Sequence, residues 1–322
     1  MVYWNRRDSL QESIIKIFPK HLRDVLNACQ VNGDCLEEIR LRIRQPLLFF
    51  YGNEEWFLDT ERKMLTKRKE QAYVVTKEDL EQMFSYLSHY SFYAYEDEIR
   101  QGYLTLEGGH RVGLAGQAVM ENEQVKSMRY IYFMNIRVAK EKKDCAKKII
   151  PYILHQDSIY NTLLVSPPGV GKTTYLRDTV RLLSNGGNLM EGLRVSVIDE
   201  RSEIAACHLG MPQNDVGIRT DVLDGCDKAK GMLMVLRSMS PQVIAVDELG
   251  GEEDYRAVEK VLYSGSHILG TIHAKNMEEL EQKPYFGHWL KTHIFERFVL
   301  LKKSEGGTHY FEIYDKDFKQ LC

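Results

Sequence analysis

The rhythm of apolar and polar positions changes about halfway along this 322-residue chain. In the first half, short helical patterns mix with β-type segments. Residues 36–44 alternate from Leu41 onward, and Leu47-Leu48-Phe49-Phe50-Tyr51 reads as a strand. Thr76 followed by Lys77-Glu78-Asp79 predicts a helix start, with the hydroxyl as N-cap and carboxylates in the first turn, where the helix dipole favours them. That helix is expected to run to about His89. Apolar segments on either side of Gly108-Gly109, within residues 102–119, predict a hairpin. Residues 127–133 and 135–139 predict a second strand pair.

From Tyr160 onward the pattern becomes strand, helix, strand. Residues 163–165, 194–198, 242–246 and 268–272 read as strands, residues 172–183, 228–238 and 254–263 as helices, and residues 184–192 as a loop. Buried β-branched strands alternating with helices predict an α/β fold, a mostly parallel sheet with helices on both faces. Ligands of such sheets sit at the carboxyl ends of the strands. The charged run at residues 140–144 and an amphipathic stretch at 145–154, with Pro151 near its end, mark the expected boundary. The chain is therefore divided into a smaller α+β N-terminal domain, residues 1–150, and an α/β domain, residues 151–322.

Composition narrows the class. Hydrophobic residues make up 43% and charged residues 28%, which is neither the apolar-poor signature of disorder nor that of a membrane protein. No run approaches the ~18 apolar residues that cross a bilayer, and residues 1–8 lack the apolar core of a secretion signal. A cytoplasmic protein is expected, attached to a membrane only through partners. The net charge of −3 argues against a surface built for nucleic acid. Six cysteines with no C-x-x-C pair suggest reduced thiols rather than a zinc ribbon or redox motif.

The chemistry concentrates at two places. Ser166-Pro167-Pro168-Gly169-Val170-Gly171-Lys172-Thr173-Thr174 follows a predicted strand and opens a predicted helix. It matches the phosphate-binding G-x-x-x-x-G-K-[ST] turn except that Ser166 stands where glycine is usual. In such a turn backbone N–H groups and the helix N-terminus cradle phosphates, Lys172 reaches the β/γ-oxygens, and Thr173 ligates Mg2+. Some seventy residues on, Val243-Ile244-Ala245-Val246 ends in Asp247-Glu248. One carboxylate, Asp247, is expected to hold the metal and the other, Glu248, to orient and deprotonate the attacking water. The pair predicts ATP or GTP hydrolysis.

Two further strand ends carry candidates. Asp199-Glu200-Arg201-Ser202-Glu203 is either a second metal- or water-positioning cluster, with Glu200 as its candidate, or an ion-pair network around Arg201. His273 closes Ile268-Leu269-Gly270-Thr271-Ile272 and is placed to sense the γ-phosphate. The five lysines within residues 140–148 are read as a solvated face, with an acidic partner or lipid as the alternative.

These boxes, in this order, resemble the traffic ATPases of type II secretion and type IV pilus systems. Gly265-Ser266-His267-Ile268-Leu269-Gly270-Thr271-Ile272-His273 is similar to their histidine box with one inserted serine, and Leu236-Arg237-Ser238-Met239-Ser240-Pro241 to the segment before the second acidic strand. Within that group the chain most resembles the stage III sporulation protein AA family. The strings Leu36-Glu37-Glu38-Ile39-Arg40-Leu41-Arg42, Gly108-Gly109-His110-Arg111-Val112-Gly113, Asp199-Glu200-Arg201-Ser202-Glu203-Ile204 and Arg219-Thr220-Asp221-Val222-Leu223-Asp224-Gly225 carry the likeness. The resemblance implies a RecA-like ATPase domain, ATP and Mg2+ as ligands, and a homo-oligomeric ring of six subunits. It also implies a cytoplasmic station on the mother-cell side beneath membrane-bound subunits of a sporulation channel. It offers Arg111 and Arg137 in the N-terminal domain, and Arg219 and Arg237 in the ATPase domain, as arginines that cancel charge on the γ-phosphate. The zinc-binding cysteines of some secretion ATPases are absent.

Two other functions fit a RecA-like ring. One is a nucleic-acid motor, which needs a basic, aromatic-rich channel that is not legible here. The other is a scaffold whose nucleotide only sets assembly.

Overall fold

A computed structural model describes residues 12–29, 31–88, 95–284, 286–304 and 307–322. The chain divides into two compact units, Met1–Lys140 and Glu141–Cys322.

The first unit is an antiparallel sheet covered by helices. Its helices are α1 (Glu12–Lys16), α2 (Lys20–Ala28), α3 (Lys77–Leu87) and α4 (Glu96–Gln101). Its strands are β1 (Leu36–Arg42), β2 (Leu48–Tyr51), β3 (Glu54–Asp59), β4 (Met64–Thr66), β5 (Tyr103–Thr105), β6 (Arg111–Glu121) and β7 (Gln124–Arg137), in the order β4-β3-β2-β1-β7-β6-β5. Leu22 and Leu26 of α2, Leu80 and Met83 of α3, and Ile99 of α4 share one core with Ile39, Leu41, Val112, Met134 and Ile136 of the sheet. Thr76 caps α3 as expected: its Oγ1 accepts from Asp79 N at 3.1 Å, and the Asp79 carboxylate accepts from Thr76 N at 2.8 Å. The anticipated end of that helix at His89 lies outside the described residues.

The Gly108-Gly109 hairpin joins β5 to β6, with Leu104 opposite Val112. The second strand pair expected at residues 127–133 and 135–139 is instead the single strand β7. The break expected at Met134 is absent: Met134 is held by Leu114 of β6 and Leu41 of β1, and Asn135 by Gly113 of β6 and Arg40 of β1, so the ladder runs through both. Flanking Met134 and Ile136 are both buried, which keeps the alternation intact.

The second unit opens with α5 (Ile150–Ile153) and the small hairpin β8 (Leu154–His155) and β9 (Ser158–Ile159). It continues with β10 (Thr162–Ser166), α6 (Lys172–Asn185), β11 (Val195–Asp199), β12 (Thr220–Asp224), α7 (Lys228–Ser238), β13 (Val243–Val246), α8 (Glu252–Tyr263) and β14 (His267–His273). It ends with α9 (Met277–Glu281), α10 (Phe286–Lys291), β15 (Arg297–Lys303) and β16 (His309–Asp315). The division between units falls ten residues before position 150, because Ala146, Ile149, Ile150 and Ile153 are buried in the second unit's own core. The segment is tied there by Asp178 of α6, whose carboxylate accepts from Asp144 N at 3.1 Å and Ala146 N at 2.8 Å.

The strand order is β12-β11-β13-β14-β10-β15-β16, parallel throughout except β16, which pairs antiparallel with β15. Alternate residues of each strand feed two separate cores. Leu164, Val195, Val197, Ala245 and Leu269 pack with Leu176 and Val180 of α6, whereas Leu163, Val165, Ile244, Val246 and Ile268 pack with Met232 of α7 and Val258 and Val261 of α8. Burial on both faces explains why these strands read as continuous apolar runs. The same order places β14 between the strand that leads into the glycine-rich turn and the strand that ends in Asp247.

Candidate nucleotide site

Ser166, the last residue of β10, is fully buried, and its Oγ donates to the carbonyl of Pro167 at 2.9 Å. The chain then turns through Pro167, Pro168, Gly169, Val170 and Gly171 into α6. Gly169 has φ 78° and Gly171 φ 100°, conformations in which a side chain is strained, and neither has a neighbour within 4 Å of where a Cβ would stand. The turn therefore has the backbone shape and the open space that a phosphate group needs beside the N-terminus of α6. Lys172, Thr173 and Thr174 form that first turn of α6.

Three adjacent strands bring the remaining groups to it. Thr173 Oγ1 donates to Asp247 Oδ2 at 2.7 Å. Thr271 donates to the other carboxylate oxygen, Asp247 Oδ1, and its own Oγ1 accepts from Glu248 N at 2.9 Å. The Lys172 ammonium lies 3.0 Å from His273 Nδ1, and His273 Nε2 lies 2.6 Å from Glu248 Oε1. A neutral imidazole protonated on Nε2 satisfies both contacts: Nδ1 accepts from Lys172 and Nε2–H donates to Glu248. The second oxygen of Glu248 pairs with Arg201 Nη1 at 2.9 Å. Glu248 sits in left-handed backbone, φ 53°, where a non-glycine residue persists only when its surroundings hold it.

Electrostatics follow from this packing. Burial pushes the Lys172 ammonium below the ordinary lysine value, opposed by the nearby carboxylates of Asp247, Glu248 and Glu203. Burial also acts to raise the Glu248 carboxyl, but the His273 hydrogen bond and the Arg201 and Lys172 charges outweigh it, so its pKa falls below the usual range. A hydroxyl and a carboxylate in contact supply hard oxygen donors of the kind Mg2+ prefers, and Thr173 and Asp247 fit that ion.

The acidic box after β11 is arranged differently from its composition. The Asp199 carboxylate is buried and accepts from the backbone N–H groups of Glu203, Ile204 and Ala205 at 2.8, 3.0 and 2.8 Å, so it builds its own loop. Burial raises its pKa despite those three bonds. Glu200 pairs with Lys228 at 2.8 Å while lining the gap beside Asp247 and Glu248. Arg201 is the side chain of this box that pairs with Glu248.

The candidate arginines belong to other elements of the chain. Arg111 belongs to the first unit, where it opens β6 with its guanidinium 3.8 Å above the Tyr103 ring, and Arg137 is its register partner on β7. Arg219 anchors a loop at the amino end of β12, donating to Ser184 O at 3.0 Å. Arg237 is exposed in the last turn of α7. Sequence reasoning missed Thr271 as a contact of both acidic residues. Its place in Gly270-Thr271-Ile272-His273, two residues before His273, put it on the same side of β14. All six cysteines are free thiols, and no described helix is long and apolar enough to cross a membrane.

A parallel sheet with this turn, and an inserted strand between the two acidic and basic partners, is the fold of the RecA-like secretion ATPases. It is similar to the pilus retraction motor PilT with bound ADP, with a TM-score of 0.60 at 14% identity over 94% of this chain and 82% of that one. It is likewise similar to the Legionella pneumophila ATPase DotB, with a TM-score of 0.56 at 14% identity over 88% of this chain and 77% of that one. The chain belongs to the family described as Sporulation stage III, protein AA, whose model matches residues 8–321. It is 40% identical over 305 residues to stage III sporulation protein AA of Bacillus subtilis (strain 168), covering 94% of this chain and 95% of that protein.

Proposed function

We propose that the chain is an Mg2+-dependent ATPase that assembles into a six-membered ring and energises a membrane-embedded channel during endospore formation. The observation that carries the catalytic part is the convergence of Lys172, Thr173, Asp247 and Glu248 at the carboxyl ends of β10, β13 and their shared neighbour β14. Family membership supports the sporulation setting, and the likeness to a pilus retraction motor supports mechanical work. The ring is held at the cytoplasmic face, on the mother-cell side, by membrane-bound subunits rather than by a span of its own.

In this reading the N–H groups of residues 169–173 and the Lys172 ammonium bind the β- and γ-phosphates, with Ser166, Pro167, Pro168 and Val170 fixing the turn and Thr174 continuing the helix. Thr173 and Asp247 hold the magnesium ion, whose charge offsets the negative charge developing on the transferred phosphoryl group. Glu248 orients a water and takes its proton as the oxygen bonds to the γ-phosphorus and the bond to the β-phosphate bridging oxygen breaks, giving ADP and phosphate. His273 positions Glu248 and Lys172 together, and Glu200 tunes the gap beside them. Arg111 is the candidate for cancelling charge from the first unit, a role worth about 10³–10⁵ in rate where it occurs.

The test is steady-state ATPase activity and mass across protein concentration, with and without detergent-solubilised membrane fractions from sporulating cells. Lys172→Ala should abolish hydrolysis with the circular dichroism spectrum unchanged. A Glu248→Gln protein hydrolysing ATP at the parental rate would refute the base. A ring that forms equally well with Lys172→Ala and no hydrolysis in the parent would leave a scaffold, and salt-sensitive stimulation by DNA or RNA would indicate a nucleic-acid motor.

A further inference from the structure

Thr271 stands where two strands part. The parallel ladder between β13 and β14 ends at Val246 and Gly270, so the backbone N–H groups that follow Val246 need other acceptors. Leu249 N donates to the Thr271 carbonyl at 2.8 Å. Glu248 N is shared, 2.9 Å from Thr271 Oγ1 and 3.0 Å from Asp247 Oδ1. The Thr271 hydroxyl gives its own proton to Asp247 Oδ1, which closes a small ring of Thr271 Oγ1, Asp247 Oδ1 and Glu248 N. Thr271 is fully buried, and Gly270 before it lets Leu249 lie close against β14: a Cβ at Gly270 would stand 2.5 Å from Leu249 Cδ1.

The two oxygens of Asp247 are therefore unequal. Each oxygen of a carboxylate offers about two lone-pair sites. Oδ1 takes two donors, the Thr271 hydroxyl and the Glu248 N–H, whereas Oδ2 takes one, the Thr173 hydroxyl at 2.7 Å. Oδ2, the oxygen beside the phosphate turn, keeps a lone pair. Without the Thr271 hydroxyl each oxygen would hold a single donor, and nothing in the hydrogen bonding would distinguish them.

We propose that Thr271 is a positioning residue that gives the two oxygens of Asp247 different tasks: it occupies Oδ1 and so reserves Oδ2, with Thr173, for the magnesium ion that accompanies the nucleotide. The inference rests on the ATPase reading above and names the metal-facing oxygen of that site. Thr271 acts through Asp247. Partners that orient a metal-binding carboxylate in this way are worth about 10–100-fold in metal affinity.

The experiment titrates a fluorescent ADP analogue, first in EDTA and then against rising Mg2+, into the full chain and its Thr271→Val, Thr271→Ser and Thr271→Ala variants. In EDTA the affinity reports the phosphate turn and should stay within about twofold in all four proteins. Thr271→Val and Thr271→Ala should need about tenfold more Mg2+ for half of the metal-induced change, and Thr271→Ser, which restores the hydroxyl, should return to within about threefold of the parent. Serine and alanine differ only by that hydroxyl, so their comparison holds even where valine upsets the packing. Parental Mg2+ dependence in Thr271→Ala, or a serine variant as impaired as the alanine one, overturns the assignment. So does an equal loss of affinity in EDTA, which marks a structural role. A parent that binds the nucleotide with Mg2+ but does not hydrolyse MgATP overturns the ATPase reading alone, and a parent that binds no nucleotide, or does so without a response to Mg2+, overturns both.

Discussion

Ser166 and His273 are register partners on adjacent parallel strands, and the residue after His273, Ala274, donates its N–H to the Ser166 carbonyl at 3.3 Å. The histidine is thus fixed to the strand from which the phosphate turn springs. Its ring is consequently shared between Lys172 on one side and Glu248 on the other.

On the proposed reading, that position makes His273 a link between the group that would bind phosphate and the group that would activate water. Removing the ring in His273→Ala should leave Glu248 held through Oε2 alone, lowering kcat about tenfold or more while KM changes little. Steady-state kinetics decide it. A raised KM with kcat intact would mean that His273 serves nucleotide binding instead.

Ser166 occupies the position where the phosphate-turn pattern has glycine, yet its hydroxyl bonds the Pro167 carbonyl within the turn. Ser166→Gly should therefore cost about 1 kcal/mol through the lost bond and added chain freedom. Nucleotide affinity should stay within about threefold, because no phosphate contact is removed. Thermal unfolding paired with titration of a fluorescent ATP analogue checks both halves, and a large affinity change would place the hydroxyl at the ligand.

Two glycines separate function from packing. Gly171→Ala meets no neighbour but forces a side chain into φ 100°, at about 1–2 kcal/mol, and fills space beside the phosphate turn. Gly231 of α7 is different: a Cβ there would stand 2.7 Å from Ile198 Cγ2 in the sheet core. Gly171→Ala should lose nucleotide binding with modest loss of stability, and Gly231→Ala should lose stability first, by about 1–3 kcal/mol. Denaturant unfolding with and without MgATP distinguishes them: the ligand should stabilise the Gly231 variant and not the Gly171 variant.

The site's legibility in the sequence varied with how local its signals are. Lys172, Thr173, Asp247 and Glu248 are readable because the glycine turn, the buried strands and the carboxylate pair are contiguous motifs. The α/β pattern of the second unit is readable because each strand is buried on both faces and each helix shows one apolar side. What could not be read is which strand lies beside which. Insertion of β14 between β10 and β13 brings Thr271 and His273 into the site, and this is a long-range fact. In the acidic box the sequence left both a metal- or water-positioning cluster and an ion-pair network around Arg201 open, and the partners are long-range: Asp199 closes its own loop, Glu200 pairs with Lys228 and Arg201 pairs with Glu248. The continuity of β7 across Met134 was missed for the same reason: it is set by long-range partners on both sides.

In the first unit, His110 is fully buried, its Nδ1 accepts from Ala139 N at 3.0 Å, and burial pushes its pKa down to about 4 from 6.5. The unfolded chain takes up a proton near pH 6.5, whereas the folded unit resists it until about pH 4. Folding is therefore opposed as pH falls through that window, and the unit should lose up to roughly 3 kcal/mol between pH 7.5 and 4. His110→Asn retains an acceptor for Ala139 N but cannot titrate. It should start less stable at pH 7.5, by about 1–2 kcal/mol from imperfect packing, and lose less on acidification. Amide hydrogen exchange in β6 and β7 at pH 7.5 and 5, corrected for intrinsic rates, reports this unit separately from the other. Equal acid sensitivity in the parent and His110→Asn proteins would remove His110 as the cause.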